Sequence, residues 1–265
     1  MRAHPSPGVA AGIGAAAGLL SGLFGVGGGI IIVPGLVLLG GMEQRRAHAT
    51  SLAAIVPIAL AGVVGYALDG AVDWTATALL VAGAILGTVA GTRLLRRIPQ
   101  RSLRVIFALF LLGCAALLPF EATSSKPLGE IDLVAGSVLV AVGILARVLA
   151  GLLGLGGGIV VVPALVLVLA EPQVIAKGTS LAVIVPTAAA GTIANLRAGL
   201  ADLRVAAVVG IAGVLAAYGA SLLALELDPV LSAVLFALLL VTMAVRLLLA
   251  ARGKPVPGET APDAK

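Results

Sequence analysis

GLFGVGGGIIIVP at residues 22–34 and GLLGLGGGIVVVP at residues 151–163 are two copies of one segment, and they decide how the chain folds. Sliding the sequence against itself by 129 residues aligns the halves without a gap from Gly22 to Asp73, which fall on Gly151 to Asp202. Within 22–39, 12 of 18 positions are identical, and within 44–62 a further 12 of 19 match. Thr50-Ser51-Leu52-Ala53 falls on Thr179-Ser180-Leu181-Ala182, and Pro57 falls on Pro186. Low-complexity apolar sequence does not hold glycines, prolines and a Thr-Ser pair in register by chance, so the chain is read as a duplication.

The solvent for both copies is lipid. Of 265 residues 60% are hydrophobic, 11% charged and 3% aromatic, and the mean hydropathy is +1.19; no soluble core absorbs that much apolar surface. A bilayer core of about 30 Å asks for about 20 apolar residues per helix. Such runs lie at 50–68, 75–92, 104–120, 179–196, 204–225 and 229–249, while 8–41 and 131–170 are too long for one simple span. Residues 1–253 read as one membrane domain, with repeats at 8–120 and 131–250, followed by a polar tail at 254–265 expected to be disordered. Arg2 and His4 before an apolar stretch resemble a signal peptide, but the same stretch recurs in mid-chain and is assigned to the fold. A single cysteine, Cys114, leaves no intramolecular disulfide and too few thiols for a metal cluster. The net charge of +5 sits in short links between apolar runs, which points to orientation in a membrane rather than to nucleic acid.

Those links set the expected topology. The one holding Arg93, Arg96, Arg97, Arg101 and Arg104 contains no acid, and lysine and arginine collect on the cytoplasmic side. Its counterpart, at Glu226 and Asp228, is purely acidic, and the acidic link at Asp69 and Asp73 matches a mixed one at Arg197, Asp202 and Arg204. Opposite charge at equivalent links requires an odd number of crossings between them. The expected fold is therefore all-α and polytopic, two inverted homologous halves with about eight transmembrane segments, the first of each half broken or re-entrant at its glycines. Both termini then lie in the cytoplasm. The alternative is a parallel four-plus-four arrangement with long, tilted first helices.

Gly27-Gly28-Gly29 and Gly156-Gly157-Gly158 fall inside apolar runs, where each glycine weakens a helix by about 1 kcal/mol relative to alanine. Helices are expected to break there, and irregular backbone at membrane depth is tolerated only where protein buries it or a watery cavity meets it. Matched breaks in two halves are the best sequence pointer to a transporter's substrate site. The half-helices that follow, 30–39 and 159–169, would present free N–H groups and positive dipole ends to a small anion. By contrast Gly14, Gly18 and Gly22, and likewise Gly83, Gly87 and Gly91, are spaced by four, a pattern that lets helices pack closely. No strand pattern, acidic ribose partner or Walker lysine accompanies the triplets, so nucleotide binding is not expected.

Polar residues within the apolar runs complete the candidate site. Arg147 takes the position of Gly18 and is the one charge deep in a long run; its cost is at least about 3 kcal/mol unless satisfied. It reads as an anion-coordinating or gating charge, against a shallow side chain that snorkels to the surface. Thr50-Ser51 and Thr179-Ser180 read as helix N-caps whose hydroxyls also suit an oxyanion. Pro57 and Pro186, with Pro34 and Pro163, read as kinks that free backbone groups nearby. Asn195, opposite Tyr66 in the repeat, is a weaker candidate, and His48, opposite Lys177, reads as interfacial. No nucleophile–base pair, paired carboxylates or metal set appears in the runs, so no enzyme, cofactor or metal is expected.

The paired glycine segments, each followed by a Thr-Ser helix, ATSLAAIVP and GTSLAVIVP, resemble the TauE/SafE sulfite exporter family of permeases over almost the whole chain apart from the tail. The resemblance implies a bacterial plasma-membrane transporter of sulfite, organosulfonates or related sulfur-containing anions. The residues by themselves suggest only a small anionic substrate, handled by alternating access, in a chain that lives in the lipid bilayer and is compatible with a homo-oligomer. A channel-like anion pore and a non-transporting membrane scaffold are the rival readings.

Overall fold

The computed structural model of the chain describes residues 5–94, 100–121, 133–153 and 158–252. The first half contributes α1 (Pro7–Phe24), α2 (Gly29–Leu38), α3 (Gln44–Leu68), α4 (Trp74–Leu94) and α5 (Gln100–Glu121). The second contributes α6 (Leu133–Leu153), α7 (Gly158–Leu169), α8 (Gln173–Arg197), α9 (Leu203–Glu226) and α10 (Pro229–Arg252). Shifted by 129, the first residues of α2, α3, α4 and α5 coincide with those of α7, α8, α9 and α10, so the register of the duplication extends past the last aligned motif. No strand occurs among the described residues.

Among the described residues six stretches are long and apolar enough to cross a membrane: Pro7–Phe24, Gln44–Leu68, Arg101–Glu121, Gln173–Arg197, Leu203–Glu226 and Pro229–Ala251. The chain is a multi-pass membrane protein. With 10 and 12 residues, α2 and α7 are about 15 and 18 Å long, half of what a bilayer requires.

Between α1 and α2 the chain turns back. A Cβ on Gly28 would sit 2.8 Å from the Ala17 carbonyl oxygen, one on Gly35 would sit 3.0 Å from Ile13, and one on Gly40 would sit 3.2 Å from Pro5. Contacts that climb α2 while descending α1 define a hairpin, so α2 ends beside the start of α1. The break spans Gly25 to Gly28, starting two residues before the triplet, and Gly29 already belongs to α2. Gly25, Gly27 and Gly28 have φ of 71°, 77° and 74°, left-handed values that other residues adopt only at a cost. The corresponding break before α7 includes Gly156 and Gly157, which lie outside the described residues.

Small residues allow the halves to interleave. Gly14, Gly18 and Gly22 of α1 bring its backbone onto Val209, Gly213 and Ala217 of α9, and Gly83 and Gly87 of α4 bring it onto Val140 and Ile144 of α6. The spaced glycines are thus packing residues, as their period indicates. In both pairs the contacts advance together, so the partners run in the same direction. Pro57, Ile58 and Gly65 of α3 meet Gly210, Gly213 and Ser221 of α9, which gives α3 that direction too. Against α8, however, α3 runs the opposite way, since Gly62 meets Leu181 while Leu52 meets Gly191. At the start of α5, Arg104 donates to the Ala250 carbonyl near the end of α10 at 3.2 Å, so this pair is antiparallel as well.

Two apolar cores follow from this weave. One surrounds α7, every residue of which from Ile159 to Val166 is buried, with contributions from α4, α5, α6 and α10. The other surrounds Ile32 and Leu36 of α2, with α1, α3, α8 and α9. Apolar burial alone does not distinguish a membrane protein, but Leu133, Leu215, Leu238 and Phe120 are more than 60% exposed on the outside, as a lipid-facing surface requires.

Candidate functional site

The expectation that Thr50-Ser51 and Thr179-Ser180 cap their helices is corrected by the structure. The helices begin earlier, at Gln44 and Gln173, behind Glu43 and Pro172, and the hydroxyl residues stand in the second turn, fully buried. There Thr50 Oγ1 accepts the Asp202 N–H at 2.9 Å and Thr179 Oγ1 accepts the Asp73 N–H at 3.0 Å. The two bonds are related by the shift of 129, each joining a helix of one half to a link of the other. Asp73 and Asp202 in turn offer carboxylate oxygens to N–H groups of the helices they start. The threonines therefore fix the ends of α3 and α8 to one another's surroundings, which sets the depth of everything between.

Between those bonds the start of α7 meets the first glycine loop. A Cβ on Gly158, the first residue of α7, would lie 2.5 Å from the Gly25 carbonyl oxygen and 2.9 Å from Ser180 Oγ and from Ile184 Cδ1. One on Gly27 would lie 3.0 Å from that same Ile184 methyl and 3.6 Å from Ile55. Ile55 and Ile184 are repeat equivalents, so the start of α7 and the break before α2 are separated by one side chain at the line about which the halves exchange. Neither position accepts a side chain of its own.

The end of α1 leaves carbonyl groups without helical partners, and the other helices answer them. Tyr66 of α3 donates its hydroxyl to the Gly22 carbonyl at 2.6 Å, and Ser180 of α8 donates to the Gly25 carbonyl at 2.8 Å. The hydroxyl of Ser21, one turn before Gly25, is buried without a hydrogen-bond partner. Ser51 instead donates to the His48 carbonyl within its own helix at 2.8 Å.

The residue that sequence reading passed over is Lys177. It is fully buried, and its Nζ donates to Ser232 Oγ on α10 at 2.5 Å and stands 5.9 Å from the centre of the Phe24 ring. Phe24, the last residue of α1, stacks on Phe236 of α10 with centroids 5.7 Å apart. The register of Lys177 opposite His48 is a signal that a titratable residue enters the helix at this point in both halves. Arg147, half-buried on α6 against Gly87 of α4, lies near enough to His48 for its charge to act on the ring. The residues around Gly25 and Lys177 form a second group. Asn195 joins neither group: its side-chain amide donates to the Gly191 carbonyl of its own helix at 2.9 Å, about 22 Å along α8 from Ser180. Pro34, Pro57, Pro163 and Pro186 all stand inside continuous helices, each removing one backbone donor at its place.

The fold is a multi-pass membrane bundle in which two short half-helices, α2 and α7, lie within a weave of long apolar helices. The sequence pattern of the sulfite exporter TauE/SafE family matches residues 1–118 and 139–264, and the chain belongs to that family. It is similar to a probable membrane transporter protein, YunE, of Bacillus subtilis, with 26% identity over 71% of this chain and 77% of the relative. A probable membrane transporter protein of Xylella fastidiosa is 30% identical over 65% of this chain and 67% of its own length. No solved structure matches the chain.

Proposed function

We propose that this chain is a secondary transporter of small sulfur oxyanions, sulfite and organosulfonates, in the bacterial plasma membrane, working by alternating access about the two glycine loops. The observation that carries this reading is the meeting of Gly158 with the Gly25 carbonyl beside Ile184. The start of α7 in one half against the break before α2 in the other makes a site both halves can uncover in turn, and the N–H groups at a helix start suit an anion. The family description supplies the sulfur oxyanion; the buried Lys177 and the half-buried Arg147 agree in sign.

In this reading the halves are inverted in the membrane. The opposite directions of α3 and α8 support it, as does the return of α2 along α1; with α3, α4, α5 and α8, α9, α10 as three full crossings in each half, the hairpins α1–α2 and α6–α7 are the remaining two of about eight segments. Arg45, Arg46, Arg104, Arg197, Arg204 and Arg246 then share one face, and Asp69, Asp73, Glu226 and Asp228 the other, an asymmetry that puts the first face and both termini in the cytoplasm. Transport needs no cofactor under this scheme, and the same weave leaves α5 and α10 lipid-facing surface for a second copy.

Reconstitution tests the proposal. Liposomes containing the chain are expected to accumulate labelled sulfite or sulfoacetate saturably and to exchange it against unlabelled substrate. Flux that is linear in concentration and without exchange would leave a pore, and no flux of either anion would end the transport reading. In the same liposomes, Gln100→Cys and Leu227→Cys are expected to react with an impermeant thiol reagent from opposite sides.

A further inference from the structure

We propose that Lys177, Gln173 and Ser232 form a built anion site at the entrance of α8, the place where the transported oxyanion is first held; the identity of the anion rests on the transport reading above. Lys177 is fully buried, yet among the described residues what meets its ammonium group is one hydroxyl and one aromatic ring, and none of their carboxylates lies within ion-pair distance. An ammonium group has three protons to donate, and Ser232 takes one. Burying a charge without a counter-charge is expensive, and a bound oxyanion removes that expense directly.

Gln173 supplies the second half of the site. It precedes Lys177 by four residues, one helical turn on the same face of α8, and is only 6% exposed. Neither its Nε2 nor its Oε1 has a hydrogen-bond partner, although buried amides are almost always satisfied. A lysine with spare protons and an amide with spare protons, one turn apart and both sealed from solvent, are complementary to a ligand with several acceptor oxygens.

Ser232 completes it from α10. It stands in the first turn of that helix, where its N–H is held by the Asp228 carbonyl and Asp228 Oδ1 caps Val230 and Leu231. The positive end of α8 faces this place, which favours negative charge, while that of α10 is already taken by the Asp228 carboxylate. Phe24 and its stack on Phe236 close the apolar side.

The test measures binding separately from flux. Full-length protein in nanodiscs is titrated with sulfite, methanesulfonate, acetate and chloride, and thermal stabilisation is read for wild type, Lys177→Met, Lys177→Arg, Gln173→Leu and Ser232→Ala. Wild type is expected to be stabilised by the two sulfur oxyanions more than by acetate or chloride. Lys177→Met should weaken apparent affinity about 30-fold or more, Gln173→Leu and Ser232→Ala about 5- to 10-fold, and Lys177→Arg should recover part of the loss. A lysine that only fills space would change the melting temperature and leave the response to anions intact. That result, or a wild type that no anion stabilises, overturns the site. Should Lys177→Met fail to fold, unchanged affinity in Gln173→Leu and Ser232→Ala overturns it equally. Normal flux with unaltered KM in Lys177→Met refutes the site and leaves the transporter; binding lost in the variants but no flux in wild type refutes the transporter and leaves the site.

Discussion

The entrances of α3 and α8 share a sequence register and differ in what surrounds them. Gln44, His48, Thr50 and Ser51 correspond to Gln173, Lys177, Thr179 and Ser180. The threonines behave identically, each accepting an N–H from the other half's link. The glutamines do not: Gln44 is exposed and Gln173 is buried with its amide unsatisfied. His48 is half-buried and feels the Arg147 charge, whereas Lys177 is sealed under α1 and α10. Duplication has kept the frame and separated the contents, as the proposed alternating access would ask of two gates. In a transporter that alternates, unequal cations at the two entrances give the anion a different hold on each side.

The strongest way to disturb this comparison is to make the entrances alike in backbone. Ala49 in α3 corresponds to Gly178 in α8, because a Cβ at Gly178 would strike the Ala71 carbonyl and lie 2.9 Å from Tyr66 Cβ. Gly178→Ala is expected to cost about 2–3 kcal/mol by overpacking, read as a lower melting temperature and reduced monodisperse yield. Tyr66 also holds the end of α1 through Gly22, so the loss should reach the first glycine loop. A Gly178→Ala protein as stable as wild type would mean that α8 is not seated against the 69–73 link.

A smaller effect on stability but a clear one on flux is expected at the other entrance. Arg147 replaces a glycine of the packing stripe, since its counterpart Gly18 is pressed against Gly213. Removing the guanidinium with Arg147→Ala frees volume rather than creating a clash, so insertion should be normal while transport falls about 10-fold, the loss of one charge-assisted contact. Unchanged kinetics would remove Arg147 from the transport path and leave Lys177 as the one entrance cation that matters.

Much of this was legible before any coordinates. Glycine triplets, prolines and the lengths of apolar runs are local signals, and they locate α2, α7 and the spans because the break and the bilayer both act on local sequence. The spaced glycines were legible for the same reason, a helical period. The helix starts at Gln44 and Gln173 were missed because polar MEQRRAH before Thr50 reads as a link, while the Thr-Ser pair looks like a cap; cross-half bonds, invisible locally, give those threonines another task. Lys177 was missed because burial at α8 comes from Phe24 and Ser232, which are 153 and 55 residues away in sequence. Identical glutamines in the two entrances with opposite exposure make the same point, since one residue type in one register carries no sign of its neighbours.

The finest test uses the one feature the entrances share. Thr50→Val and Thr179→Val each keep the shape of the side chain and remove the acceptor, leaving the N–H of Asp202 or of Asp73 unpaired in a part-buried place. Each is expected to cost about 1 kcal/mol, and the costs should be equal, because the bonds differ by only 0.1 Å and join equivalent elements. The threonines lie on helices that cross in opposite directions, at opposite ends of the weave, so the double variant should lose the sum of the two within about 0.5 kcal/mol. Chemical denaturation of the three variants in mixed micelles measures this. Unequal costs would show that the frame, like its contents, has lost its symmetry; a double variant less stable than the sum would show that the two bonds clamp the halves as a single unit, so that neither entrance can open without the other responding.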